Sequence, residues 1–389
     1  MGALSNYNHL FIPLLILQLQ RRMKEVGGPF WEIAGFVPIA FDGSRNSAAR
    51  TVSNEAEFCC SHLGQGKTAK YRKKKTKGMR RTKNEKNKPA DPKPQAWITL
   101  MWHMGLCLPW DWRLGPSDSG ERQHVQEMVK IGKHPKNTLF CGDAGFVGYD
   151  FWKTIVDCGY HFLVRVGGNV SLISENMDYR RVGDGQVLCW PKGKQSKYPP
   201  LRLRLVKVLI GKTEVFLLTS VLDPEQLDRA SMLKLYKKRW GIEVEFRGLK
   251  QTLNGSKLRC RNAERVYTEL DWSILAMAVA ELLATKEQIA QQEPVPSPPK
   301  DTAYTPTKRS LANTMRAFYH CLDNLNEIPE TQKNLFHLLA CAVTDSYVRK
   351  ASKKARYRPK NHDKKKLGQP IVRKIKPEER QKIPKAIAA

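Results

Sequence analysis

The sequence predicts an α/β fold, a mixed sheet flanked by helices with a β-rich insertion ahead of a later acid-bearing helix. Three observations lead there. Strand-like apolar runs alternate with helix-period segments through the first half of the chain. Residues 168–222 carry only strand-like runs, parted by Gly, Pro and polar turns. Helical texture then resumes at Asp223-Pro224 and dominates to about residue 349.

Taken in order, the apolar run Leu10–Leu19 is too short to span a bilayer and reads as a buried or interface helix. Residues 31–44, WEIAGFVPIAFDGS, read as a strand ending at an acid-glycine turn, Asp42-Gly43. Residues 67–95 are a Lys/Arg run closing in the Pro-rich PADPKPQ, a composition that cannot bury a core and suits an exposed loop. AWITLMWHMGLC (96–107) is strand-like, and 119–132 looks helical with Ser119 as a candidate N-cap. NTLFCGDAGF is a short buried strand stopping at Asp143, followed by a helix in VGYDFWKTIVDCGY and a strand at 161–166. NVSLI, QVLCW, LRLRLVKVLI and EVFLLTSVL make the β-rich segment. Helices are expected from 223 to about Leu253 and over 267–289. The expected organisation is an N-terminal helical segment (1–30), a first core part (31–166), the β insertion (167–222) and a second core part (223–290). A linker (291–307), a C-terminal helical segment (308–348) and a basic tail (349–389) complete it.

Charge narrows the partners. Lys and Arg total 67 against 37 Asp and Glu, a formal net charge of +30. Residues 67–95 contribute +11 and residues 349–389 contribute +13, so the remainder is near neutral. An enzyme-sized body with two cationic attachments points to polyanions, nucleic acid first. The nine cysteines form no CxxC pair and no zinc-site spacing, which suits reduced thiols in a soluble, cytoplasmic protein.

The chemistry concentrates in SMLKLYKKRWGIEVEFRGLKQTL. On an ideal helix Tyr236, Arg239, Glu243 and Lys250 share one stripe about 60° wide, with Arg247 close beside it. Trp240 and Val244 flank the stripe on one side, and Leu235, Phe246 and Leu253 on the other. Lys234, Lys237, Lys238 and Glu245 fall on the opposite arc and can face water. A polar stripe inside an apolar face needs partners or a metal. A buried Arg239–Glu243 ion pair is the simple structural alternative. The stripe is about 21 Å long, so a nucleic-acid strand can touch all of it and a small ligand cannot. Asp42 and Asp143, each at a predicted strand end beside a glycine, fall where sites gather in α/β sheets. Three carboxylates without His or Cys are hard donors that suit Mg2+ or Mn2+, and two such ions serve phosphoryl transfer.

YKKRWGIEVEFRGLK, with FDGSR at Asp42 and CGDAGF at Asp143, resembles the Tyr-x2-Arg-x3-Glu-x6-Lys signature of bacterial insertion-sequence DDE transposases of the cut-and-paste type. The likeness extends to the long segment of 99 residues between Asp143 and Glu243 and covers about residues 31–290. It implies a ribonuclease-H-like core with a β insertion. It also implies metal-dependent cleavage at transposon ends, passage through a hairpin, and strand transfer into target DNA. Asp42, Asp143 and Glu243 would be the catalytic metal ligands for two ions, Mg2+ or Mn2+. Tyr236, Arg239 and Lys250 would hold phosphates, and Arg247 would add another contact. Trp190 is a candidate to stack on a flipped base, with sheet packing as its alternative. The partners implied are end-repeat and target DNA and a second copy of the chain, with no membrane, in the bacterial nucleoid. Only 41 residues precede Asp42, where that family usually carries a sizeable DNA-binding segment. The alternatives are therefore an inactive, truncated DNA-binding remnant or a related nuclease without strand transfer.

Overall fold

The computed structural model describes residues 2–59, 93–175, 184–195, 197–255, 257–291, 309–322, 328–344, 367–381 and 383. Its organising element is β1 (Val37–Ser47), paired on one side antiparallel with β2 (Gln95–His103) and on the other parallel with β4 (Thr138–Gly142). β3 (Leu108–Gly115) turns back antiparallel on β2, and β5 (His161–Val166) continues parallel beyond β4. The order β3-β2-β1-β4-β5, with three antiparallel and then two parallel strands, is the expected ribonuclease-H-like mixed sheet.

The β-rich insertion joins this sheet edge-on. β9 (Thr213–Thr219) pairs antiparallel with β5, and β8 (Leu201–Ile210), β7 (Asp184–Cys189) and β6 (Ser171–Ser174) follow antiparallel in turn. The insertion therefore continues the core sheet as one sheet. The exposed edge that β5 would present is closed by pairing, which removes a template for association. The basic tail is not wholly an attachment either. Its Ile371–Lys374 segment, β10, adds parallel to β6 as the tenth strand, and a short helix α10 (Pro377–Arg380) follows.

Helices cover the sheet. They are α1 (Gly2–Gly27), α2 (Val52–Phe58), α3 (Glu121–Ile131), α4 (Tyr149–Asp157), α5 (Arg229–Lys238), α6 (Gly241–Arg247), α7 (Ala263–Ala290), α8 (Leu311–Leu322) and α9 (Ile328–Ala340). α1 buries Ile12, Ile16, Leu19 and Met23 and leaves Leu10, Phe11, Leu14 and Leu17 exposed, so the apolar run is a one-sided helix. Asn8 of α1 bonds Asp271 and accepts from Trp272 on α7, while Gln20 donates to the Trp110 carbonyl of β3. The basic loop lies outside the described residues up to Pro92, and so does the linker after Gln291.

Several expectations shift for physical reasons. The first strand does not stop at Asp42. It runs to Ser47 because Gly43–Ser47 pair with Gln95–Thr99, so the acid sits within the ladder. The 96–107 run is one strand plus a tight turn, with Cys107 at φ 60°, that feeds the unforeseen β3. Gly120, not Ser119, is the N-cap of α3. The helix expected from 223 starts only at Arg229, where Asp228 caps it by accepting the Ser231 N–H at 2.8 Å.

Two buried histidines give this fold an acid-side liability. His103 stacks on Trp31 with centroids 4.8 Å apart and accepts the Leu106 N–H at 3.0 Å. His134 accepts from Trp110 Nε1 at 3.1 Å and faces the Met128 carbonyl at 3.0 Å. Burial pushes His103 down to about 3 and His134 down to about 4, from an ordinary 6.5. Both folded values are depressed, so the stability they contribute is present above pH 6.5 and lost as pH falls towards 4 and below. Thermal melts across that window are expected to fall, and His103→Asn, which retains an acceptor for Leu106, should fall less steeply. Parallel pH slopes in the two proteins would refute this.

Candidate active site

The parallel register of β1 and β4 sets the site. Val37 lies opposite Thr138, Ile39 opposite Phe140 and Ala40 opposite Cys141. Carried two residues further, the same register puts Asp143 abreast of Asp42, about one strand spacing away at ~4.8 Å. Beneath them Phe41, Phe146 and Phe151 pack edge-on, with Phe41 and Phe146 centroids 4.4 Å apart. Gly142 makes room for this: a Cβ there would lie 2.5 Å from the Phe41 ring. Asp143 follows β4 directly and accepts the Gly145 N–H at 2.7 Å, an Asx-turn that sets its carboxylate at the rim.

The third acid arrives on a broken helix. α5 ends at Lys238, α6 restarts at Gly241, and residues 248–252 form a π-helical turn. The backbone stays right-handed helical through Arg239 and Trp240, but the buried arc is not the one expected. Trp240 and Val244, expected on the apolar face, are 56% and 50% exposed, whereas Glu245, expected in water, is 7% exposed. At Gly241 a Cβ would sit 2.1 Å from the Trp102 ring. Only a glycine lets α6 lie this close to β2. Trp102 Nε1 then donates to Glu245 at 3.3 Å and fastens the helix from its buried side. Glu243, on the other side, faces Asp42 and Asp143.

Arg239 stands between the acids. Its guanidinium is 4.0 Å from both Asp42 and Glu243, it lies 5.7 Å over the Tyr236 ring, and the residue is only 7% exposed. The predicted Arg239–Glu243 pair thus exists, and it extends to Asp42. The π turn carries Lys250 back to β1, where its Nζ donates to Ser44 Oγ at 2.6 Å. Arg247 is exposed beside Glu243. Trp190 lies away from this group, packed against the small cluster of Ile173, Leu188 and Ile375, with its Nε1 donating to the Tyr198 carbonyl at 3.1 Å.

The electrostatics follow from crowding. Burial raises Asp42, Asp143 adds to the rise, and the Gly43 N–H and Arg239 oppose it. Glu243 is raised by burial and then by Asp42, with Arg239 opposing. Burial lowers Lys250. A fourth acid was not foreseen. Glu121, the first residue of α3, is pushed up to about 7 by burial and by Asp42 and Asp143. Its sequence signal was that of an ordinary first-turn acid complementing a helix dipole, so nothing in SGERQH distinguished it. The donor set is all carboxylate oxygen, which fits a hard divalent cation in kind and charge. Among the described residues no three such groups already meet at coordinating distance, so holding an ion requires side-chain rotation about the present positions.

Comparison with known proteins adds the following. The family described as "Transposase DDE domain" matches residues 66–279, more than half of the chain, including Asp143 and Glu243 but beginning after Asp42. A protein of Sinorhizobium fredii (strain NBRC 101917 / NGR234) named "Putative transposase y4zB" is 28% identical over 157 residues, 38% of this chain and 43% of that protein. The piggyBac transposase, solved as a synaptic complex with hairpin DNA, is similar with a TM-score of 0.41 and 12% identity over 82% of this chain and 60% of that one. The chain thus spans less than two thirds of each of these relatives. Among the described residues no helix is long and apolar enough to cross a membrane.

Proposed function

This chain belongs to the transposase DDE domain family, and from that membership we propose that it cuts DNA at transposon ends and joins the freed strands to target DNA. The observation that carries this reading is the strand register that brings Asp42 abreast of Asp143, with Glu243 facing both and Arg239 between. Asp42, Asp143 and Glu243 would hold two divalent ions, Mg2+ or Mn2+. Such ions, when bound, supply Lewis acidity to the attacking and departing oxygens of a phosphodiester. The chain's own part is placement. Arg239, braced on Tyr236, holds Asp42 and Glu243 towards each other. Lys250, tied to Ser44 on the strand that carries Asp42, and exposed Arg247 would bind the flanking phosphates as cations.

A charge excess of +30 supports a DNA substrate on electrostatic grounds. A hairpin at the excised end, a DNA-bound homodimer holding two ends, and a cytoplasmic location at the nucleoid belong to the same proposal. The test uses the purified full chain with Mg2+ and DNA bearing the inverted repeats that flank its gene. Nicked and joined products are expected, both abolished by EDTA. Nicks without joined product would leave a nuclease only. Salt-sensitive binding with no cleavage of any substrate would leave a DNA-binding remnant.

A further inference from the structure

The fourth acid of the site has no part in the reading above. Glu121 opens α3 after the β3 edge, and its carboxyl lies against Gly43, the neighbour of Asp42 on β1. The backbone of β1 is pared back to receive it: a Cβ on Gly43 would lie 2.5 Å from Glu121 Oε1 and 2.4 Å from the Trp97 ring. An acid that merely complemented a helix dipole would turn to water. Glu121 instead turns inwards, against Asp42 and towards Asp143, where like charge and burial both oppose it.

The counter-charge in this cluster is incomplete. Arg239 sits 4.0 Å from Asp42 and Glu243, too far for a close hydrogen bond, and its buried Nε and Nη1 have no hydrogen-bond partner. Lys250 is spent on Ser44. Arg239 thus faces Asp42 and Glu243, with Arg247 beside Glu243, and among the described residues no cation is shown at Glu121. Two divalent cations would balance the four acids, leaving Arg239 to meet a phosphodiester.

We propose that Glu121 is a fourth carboxylate ligand of the divalent-cation site, joining Asp42, Asp143 and Glu243 from the N-terminus of α3. The inference rests on the metal-dependent reading given above. Isothermal titration of the full chain with Mn2+, without DNA, tests it. Wild type is expected to bind Mn2+, and Asp143→Asn to lose most of that binding. Glu121→Gln should bind at least tenfold more weakly, with circular dichroism and melting in EDTA unchanged. Glu121→Asp, which keeps a carboxylate, should recover part of the affinity and guards against a folding defect in the glutamine variant. A purely structural Glu121 would shift melting in EDTA and leave Mn2+ affinity alone. Wild-type Mn2+ affinity in Glu121→Gln, with binding lost in Asp143→Asn, would overturn the inference and spare the metal reading. No Mn2+ binding by wild type would overturn both.

Discussion

Asp143→Asn is expected to lower DNA cleavage by roughly a thousandfold or more while leaving DNA affinity within about twofold. The substitution is nearly isosteric, and the amide oxygen can still accept the Gly145 N–H that shapes the turn after β4. Phe41, Phe146 and Phe151 beneath it are untouched, so the fold should hold. What goes is one negative charge at the rim, where the proposed chemistry needs anionic oxygen donors for a divalent ion. DNA affinity depends on cations spread over the chain and should persist, with the steep salt dependence of phosphate contacts. Cleavage assays on end-repeat DNA, paired with binding isotherms at two salt concentrations, measure both quantities. Undiminished cleavage in the variant would sink the catalytic assignment of Asp143.

Arg309→Met is expected to destabilise the protein by about 3–5 kcal/mol, the scale of breaking a buried ion pair from one side. Arg309 lies beyond the linker, yet it reaches into the core behind the site. Its Nε pairs with Glu281 at 3.2 Å, and Nη1 donates to the Leu106 carbonyl at 3.1 Å and to Thr285 at 2.7 Å. Nη2 donates to the Cys107 carbonyl at the turn between β2 and β3. Glu245 lies beside Glu281, and burial together with Glu281 holds its carboxyl well above the usual carboxylate range. Without Arg309 the pair of acids would be buried with no cation. The double variant Arg309→Met/Glu281→Met, apolar at both positions, should recover much of the loss. Thermal melts of the three proteins decide it, and a single variant melting with wild type would refute the argument. Because Glu245 lies two residues from Glu243 on α6, the single variant should also cut less DNA.

Local patterns carried much of this architecture. Alternating apolar runs located β1, β4, β5 and the strands of the insertion, since those segments are buried by sheet pairing whatever the topology. Asp143 was legible because a buried strand followed by an acid and a glycine reads the same way locally as it folds. The helix stripe was less secure. It placed Trp240 and Val244 on the apolar face, whereas the buried arc runs through Leu235, Arg239, Ile242, Glu245 and Phe246. Which arc is buried is decided by packing on Trp102 of β2, so Glu245 is buried and Trp240 exposed. Glu121 was invisible because its neighbours, Asp42 and Gly43, lie far away along the chain.

What the sequence determined by itself was the inventory: the strand and helix types, the three spaced acids with their Tyr, Arg and Lys companions, and a cationic excess suited to DNA. These depend on local periodicity, composition and spacing, which the chain carries without folding. The tertiary structure alone decided that the insertion and part of the tail extend one sheet, that Arg239 is shared by two acids, and that a fourth carboxylate turns inwards. Each of those depends on strand register and on the close approach allowed at Gly43 and Gly241, and such distances between remote residues exist only once the backbone has closed.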